Sequence, residues 1–348
     1  MRAITKTAPG PGNIEVLDAA PPVPGPGEAL VRIASSGLCG TDLLLYDGTY
    51  RGRKRPVPSP LIVGHEAAGE VVALGAGTTW PPPGTRVGIE AVTGCGRCHV
   101  CVRGHYNLCQ DWHHIGLTCP GVLAEMAVIP ATSLLPLPDH VTLEDAAFLE
   151  PLATAVHTLE RVKPSPAIAA AVVGPGPLGF LHFQVLRAAG VDRVVMYGQA
   201  GDEARLALAV SLGAETFLGD RPAIAAHAAA ATGGLGYDLS IEASGTSTAI
   251  QSALDIVGGQ GTLVSLGIVK PTEIDVLQVM RKNLTWIGVV ASVRRHFADA
   301  IRLIAHGQVR PADLITHRLP IGDALAGFDA LRAREAVKVM FEMSGRAA

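Results

Sequence analysis

An excess of charge of either sign is what this sequence lacks first. Its 348 residues carry 28 Lys and Arg against 31 Asp and Glu, a formal net charge of −3. No basic field is available to draw in nucleic acid or anionic lipid, so neither is expected as a partner. A cationic start before an apolar stretch is not seen either: MRAITKTAPGPG turns polar and rich in Pro and Gly at once, so a secretory leader is not expected. Nor is there an unbroken apolar run. The longest, AIAAAVVGPGPLGFLHFQVL at 167–186, is interrupted by three glycines and two prolines, which argues against a membrane-spanning helix. A cytoplasmic protein is the resulting expectation, and thiols there stay reduced. With 48% apolar and 17% charged residues, the chain is expected to be compact rather than disordered.

What is present divides by pattern. The length is large for one hydrophobic core, so two domains are expected. Residues 1–152 show short alternating apolar stretches (ALVRIASSG, AAGEVVALG, AEMAVIP) cut by PPVPGPG and PPPG, the texture of an irregular, mostly β region. Over 153–293 apolar runs of strand length alternate with stretches of helical period: AIAAAVV, PLGFLHFQVLRAAG, RVVMYG, DEARLALAVSLG, DLSIEAS, TAIQSALDIV, GTLVSLG. That βαβ alternation predicts a doubly wound parallel sheet, an α/β Rossmann domain. The tail, 294–348, reads as two helices and a closing strand that return to the first domain.

Three constellations carry chemistry. The first is AVVGPGPLGF, a G-x-G-x-x-G pattern at Gly174, Gly176 and Gly179, with a strand before it and an amphipathic helix after it. In that context the glycines permit a tight turn, close approach to a pyrophosphate, and helix packing on the strand, with Pro177 and Leu178 opening the helix. The acid expected about twenty residues on, for a ribose hydroxyl, is absent: Gly198 and Gln199 stand there. Without it NADP is not repelled, and without an arginine directly after it NADP is not favoured, so NAD and NADP both stay open. The second constellation is GCGRCHVCVRGHYNLC, in which Cys95, Cys98, Cys101 and Cys109 follow C-x2-C-x2-C-x7-C. Disulfides, a redox centre and a metal all need such sulfurs, and the reducing compartment argues against the first. The third places Cys39, Thr41 and Asp42 in SGLCGTD, His65 and Glu66 in LIVGHEAAGEV, and Glu150 in AAFLEPLATAVHT. A cysteine, a histidine and carboxylates form a catalytic-zinc ligand set with one position left open.

The order CGTD, GHE, four-cysteine lobe, LEPLATAVH, GPGPLG and ITHR resembles the zinc-dependent medium-chain alcohol dehydrogenases, most of all the polyol, sugar and threonine dehydrogenase branch. The resemblance covers nearly the whole chain. It implies a GroES-like, mostly β catalytic domain joined to the Rossmann coenzyme domain. It further implies two zinc ions per chain: a catalytic one held by Cys39 and His65 with Glu66 and Glu150, and a structural one held by Cys95, Cys98, Cys101 and Cys109. Asp42 would hold His65 through its other ring nitrogen. Hydride would pass between a secondary alcohol and NAD(P) to give the ketone, with Thr41 relaying the proton and Glu150 assisting, in a homodimer or homotetramer. The alternative is a catalytically silent binding protein on the same fold. Cys119 has no evident partner and is expected to be packed.

The chain departs from its relatives around the substrate. Leu44 replaces a histidine that many members use to pass the proton on, Leu45 an aromatic of polyol enzymes, and Val92 a histidine of threonine dehydrogenases. Leucines facing the pocket would favour an amphipathic secondary alcohol, whose polar end Glu150, Ser292, Arg294 and the pair His113–His114 would recognise. Leucines packed in the core would say nothing about substrate.

Overall fold

A computed structural model describes residues 1–52, 57–267 and 271–343. The chain divides into two compact units, Met1–Ala153 together with the chain from Ala291 onward, and Thr154–Val290.

The first unit begins with β1 (Arg2–Lys6), β2 (Ile14–Asp18), β3 (Glu28–Gly37), α1 (Gly40–Tyr46), β4 (Leu61–Ile62), β5 (Glu66–Leu74) and β6 (Arg86–Ile89). There follow β7 (Val92–Thr93), α2 (His99–Val102), β8 (His113–His114), β9 (Met126–Pro130), β10 (Leu134–Pro136) and α3 (Leu143–Ala147), and α4 (Leu149–Val162) contains the boundary. The second unit runs β11 (Ala169–Val173), α5 (Pro177–Ala188), β12 (Arg193–Gly198), α6 (Glu203–Ser211), β13 (Glu215–Leu218), α7 (Arg221–Ala231) and β14 (Tyr237–Glu242). It closes with α8 (Ser247–Ile256), β15 (Val257–Ser265), α9 (Val276–Arg281) and β16 (Thr285–Gly288). The chain then returns to the first unit with α10 (Arg294–Ala305), β17 (Ile315–Pro320), α11 (Ala324–Arg332) and β18 (Lys338–Glu342).

In the first unit the main sheet is ordered β10-β6-β5-β3-β18-β17, with β9 also on β3. Alternation in EALVRIASSG turns Ala29, Val31 and Ile33 inward, where they join Ile4, Val71, Val87 and Phe341 in one core. β18 is the C-terminal strand, yet it lies beside β3, setting Met340 opposite Gly37. On the other side of β3, Gly37 pairs with Glu66. Residues from three distant parts of the sequence therefore meet at one sheet position.

In the second unit six parallel strands are ordered β13-β12-β11-β14-β15-β16. Such an order reverses direction between β11 and β14, and ligands bind outside the carboxyl ends of the strands at that point. Both central strands are buried almost throughout, as AAAVV and YDLSIE require when helices cover both faces. No helix of the described residues is long and apolar enough to cross a membrane.

Candidate active site and four-cysteine lobe

Cys39 is the N-cap of α1, and the Thr41 N–H donates to its sulfur at 3.5 Å. His65 sits in the turn between β4 and β5, and Glu66 opens β5. One ligand atom from each of these three residues lies within 4.8 Å of the other two. Glu150, in the first turn of α4, is coupled electrostatically to His65 and Glu66. Burial pushes the Cys39 thiol and the Asp42 carboxyl up from their ordinary values, and lifts Glu150 to about 7. Burial alone would lower His65, but Cys39 and Asp42 beside it outweigh that and hold it well above the usual imidazole value. Thiol and carboxyls are thus crowded around one histidine, out of water. A divalent cation held there would add positive charge beside them and let the thiol ionise.

Asp42 does not act as expected. Its Oδ1 lies 3.9 Å from His65 Nδ1, too far for a hydrogen bond. The carboxylate instead accepts from the Cys39 N–H at 3.0 Å and the Gly64 N–H at 3.2 Å. It thus ties together the two backbone segments that carry Cys39 and His65.

A second departure is Lys338, which the sequence reading missed. Its ammonium donates to Glu66 Oε2 with both side chains buried, and lies 5.3 Å from the Phe148 ring centre. The signal was available: a lysine inside the apolar strand KVMFE. Gly37 makes the pair possible, because a Cβ there would fall 2.6 Å from Lys338 Cε and 2.7 Å from Glu66 Oε2.

The residues expected around the substrate divide. Leu45 is 4% exposed and packs in the core, so it has no bearing on substrate. Leu44 is half-buried. Ser292 is buried. Arg294 is engaged elsewhere: its guanidinium donates to the Thr132 and Leu134 carbonyls and pairs with Glu90 at 3.7 Å. His113 is exposed, whereas the His114 ring stands against His65. Burial and the neighbouring His65 push His114 down to about 3.

The four sulfurs of the lobe also lie within 4.8 Å of one another, with Cys98–Cys109 at 3.7 Å and Cys95–Cys101 at 4.0 Å. Four ligands about 2.3 Å from a tetrahedral zinc stand about 3.8 Å apart, so the spacing fits that metal. The amides of Arg97 and Cys98 donate to Cys95 and push its thiol down to about 6, towards the thiolate a metal needs. Gly94 packs so closely that a Cβ would lie 2.5 Å from Cys101 Sγ. Cys119 is half-buried against the core of the same unit.

In the second unit Gly174 follows β11 with φ of +109°, and a Cβ there would collide with Ser244 at 2.7 Å. A Cβ on Gly179 would lie 2.0 Å from the Gly174 carbonyl, which is the close strand–helix packing expected of it. Gly176 faces open space, with Pro177 at the start of α5. The cradle fits a pyrophosphate. After β12, Asp202 is buried: it accepts from the Gln199 N–H at 3.1 Å and lies 3.8 Å from Arg205 Nη1.

Residues 25–139 match the alcohol dehydrogenase GroES-like domain family and residues 177–306 the zinc-binding dehydrogenase family. The chain is 30% identical to a sorbitol dehydrogenase of Halalkalibacterium halodurans over 344 residues, covering 98% of each. It is 33% identical to an L-threonine 3-dehydrogenase of Pyrococcus horikoshii, again over 98% of each chain. Among solved structures, a putative zinc-binding dehydrogenase from Sinorhizobium meliloti bound to NADP superposes with a TM-score of 0.87, at 26% identity over 98% of both chains. Fold, clusters and relatives agree, and the chain belongs to the zinc-dependent medium-chain alcohol dehydrogenases, in their polyol and threonine dehydrogenase branch.

Proposed function

We propose that this NAD(P)-dependent dehydrogenase oxidises a secondary alcohol to the ketone at the Cys39–His65 cluster, with the first unit as catalytic domain and the second as the dinucleotide-binding domain. The observation that carries the reading is the convergence of Cys39, His65 and Glu66 within 4.8 Å, with Glu150 coupled to the same group. Cys39, His65 and Glu66 or Glu150 would hold the catalytic zinc, and Cys95, Cys98, Cys101 and Cys109 the structural one. Zinc in the first site supplies Lewis-acid stabilisation of the substrate oxygen as its proton leaves. Thr41, whose hydroxyl makes no hydrogen bond among the described residues, takes that proton. Asp42 keeps the Cys39 and His65 backbones in register while Lys338 balances the buried Glu66. Gly174, Gly176, Pro177, Leu178 and Gly179 would cradle the pyrophosphate, with Gly198 and Gln199 at the adenosine ribose. NAD(P) held in that cradle would be the acceptor for the hydride of the carbinol carbon.

The free thiols suit a cytoplasmic setting. A second copy would cover the edge of the parallel sheet at β16, where Trp286, Val290, Val276 and Met280 are exposed, making a homodimer or a higher homo-oligomer. The deciding experiment is a screen of secondary alcohols with zinc-loaded protein, read by nicotinamide absorbance with both cofactors. Alcohol-dependent reduction is expected, and its absence across polyols, diols and amino alcohols would sink the reading.

A further inference from the structure

The carboxyl end of β14 carries a buried acid with no part in the chemistry above. Glu242 is fully buried and stands in the sheet opposite Val173, the residue before Gly174. The Ala243 N–H donates to the Val173 carbonyl at 3.0 Å, so the two strands stay paired up to the switch point. There the carboxylate gathers two loops. Oε1 accepts from the Ser244 N–H at 2.8 Å, the Gly245 N–H at 2.6 Å and the Ser244 hydroxyl at 3.1 Å. Oε2 accepts from the Gly267 N–H at 3.3 Å, beyond β15. The loops touch, since a Cβ on Gly267 would lie 2.2 Å from Gly245 Cα. A Cβ on Gly174 would in turn lie 2.7 Å from Ser244 Cβ and 3.0 Å from the Ser244 nitrogen. Only Ser244 thus separates this carboxylate from the first glycine of the pyrophosphate cradle.

Its charge is what calls for an explanation. Four donors surround the carboxylate, and among the described residues no Lys, Arg or His forms an ion pair with it. Asp202 and Asp255 of the same unit have Arg205 and Arg221 beside them, and Glu66 has Lys338. A carboxylate held out of water without a cation is costly. Tying the loops together requires acceptor oxygens, which an uncharged side-chain amide also offers. The negative charge is therefore surplus to the packing. It lies at the switch point, outside which a dinucleotide binds.

Resting on the coenzyme site proposed above, we propose that the Glu242 charge sets the balance between oxidised and reduced coenzyme on this protein. The two forms share their phosphates, riboses and adenine, and differ by one positive charge on the nicotinamide ring. Any effect of the carboxylate on the shared groups, repulsion of the phosphates included, cancels in the ratio of the two affinities. What is left is its attraction for the charge that only the oxidised form carries, in a setting that water does not fully screen. The sign of the effect follows from that charge difference alone: Glu242 favours the oxidised form.

The test measures Kd by isothermal titration calorimetry for NAD+ and NADH, and for NADP+ and NADPH, with no alcohol present. Wild type, Glu242→Gln and Glu242→Asp are compared. Gln keeps an oxygen for the Ser244 and Gly245 donors and removes the charge, whereas Asp keeps the charge. The ratio of oxidised to reduced affinity is expected to fall by about threefold or more in Glu242→Gln. In Glu242→Asp it should stay near the wild-type value, even where both forms bind more weakly. Loosened loops alone would weaken both forms together and leave the ratio unmoved. Should Glu242→Gln fail to fold, Ser244→Ala takes its place, because Ser244 is exposed and its hydroxyl is one of the four donors. Removing that donor leaves the charge less compensated, so the ratio should rise. A ratio that does not fall in Glu242→Gln, that falls equally in Glu242→Asp, or that in the substitute experiment does not rise in Ser244→Ala, overturns the proposal and leaves the coenzyme site standing. Wild-type protein that binds none of the four coenzyme forms overturns that site and this inference with it.

Discussion

The Lys338 ammonium donates to Glu66 Oε2 across a span of 272 residues, and both side chains are buried. The two strands that carry them flank β3 at Gly37, whose missing side chain leaves the room. A carboxylate taken out of water there needs its cation. Replacing Lys338 by Met is expected to destabilise the protein by about 3–5 kcal/mol, because it leaves an uncompensated buried charge. The double variant Lys338→Met with Glu66→Gln should recover much of that loss, since the charge is then gone from both partners. Denaturant unfolding of the three proteins measures it, and additive losses would show that the pair is not coupled.

Metal removal separates the two clusters. Zinc analysis of the wild type should find two ions per chain, one for each cluster. Cys98→Ser should lose one ion and lower the melting temperature, because a closed four-sulfur site contributes folding energy outright. Cys39→Ser should keep the melting temperature close to wild type and abolish turnover. A Cys98→Ser protein that melts unchanged would remove the structural assignment.

How far the sequence was legible follows from how locally each feature is built. The four cysteines lie within fifteen positions, so the convergence of their sulfurs could be read from the spacing, whereas the choice of a metal over disulfides or a redox centre rested on the family resemblance. Gly174, Gly176 and Gly179 were legible for the same reason: one strand–turn–helix contains the whole cradle. Lys338 was not, because its partner is fixed only when β18 joins the sheet beside β3. Asp42 shows a finer limit. Its position in CGTD indicates that it serves the cluster, but whether it bonds the His65 ring or the backbone depends on a distance of 3.9 Å that no motif encodes. Leu45 fails differently, since helix α1 turns it into the core while its neighbour Leu44 stays half-exposed, and a dipeptide of leucines does not say which is which.

Cofactor choice should be weak. The carboxylate nearest the end of β12, Asp202, is turned into its own loop, and Arg205 stands beside it rather than waiting for a 2′-phosphate. Neither repulsion of NADP nor a dedicated welcome for it is in place at Gly198 and Gln199. Steady-state kinetics should therefore give kcat/KM values for NAD and NADP within about tenfold, or about 1.4 kcal/mol. A preference beyond about a thousandfold would mean that other residues read the ribose.

Glu90 makes stability depend on pH with a definite sign. Burial raises its carboxyl from 4.5 to about 7, against the opposing pulls of Tyr106 and Arg294. The Tyr106 hydroxyl donates to Glu90 and accepts the Arg294 N–H at 2.6 Å, so this acid sits between the cysteine lobe and the start of α10. Between the unfolded and folded values the native protein binds the proton more tightly than the unfolded chain. Stability from this group is therefore full below about pH 4.5, declines as pH rises, and is gone above about 7. The loss is on the order of 3 kcal/mol across that window, at about 1.4 kcal/mol for each pH unit between the two values. Glu90→Gln, which cannot ionise, should escape the decline, so its stability relative to wild type should improve steadily from pH 4.5 to 7. Denaturant unfolding at several pH values reads the difference directly, with the other titrating groups cancelling between the two proteins. A difference that stays flat, or that moves the opposite way, would show that Glu90 is ionised in the folded protein throughout and that Arg294 outweighs burial.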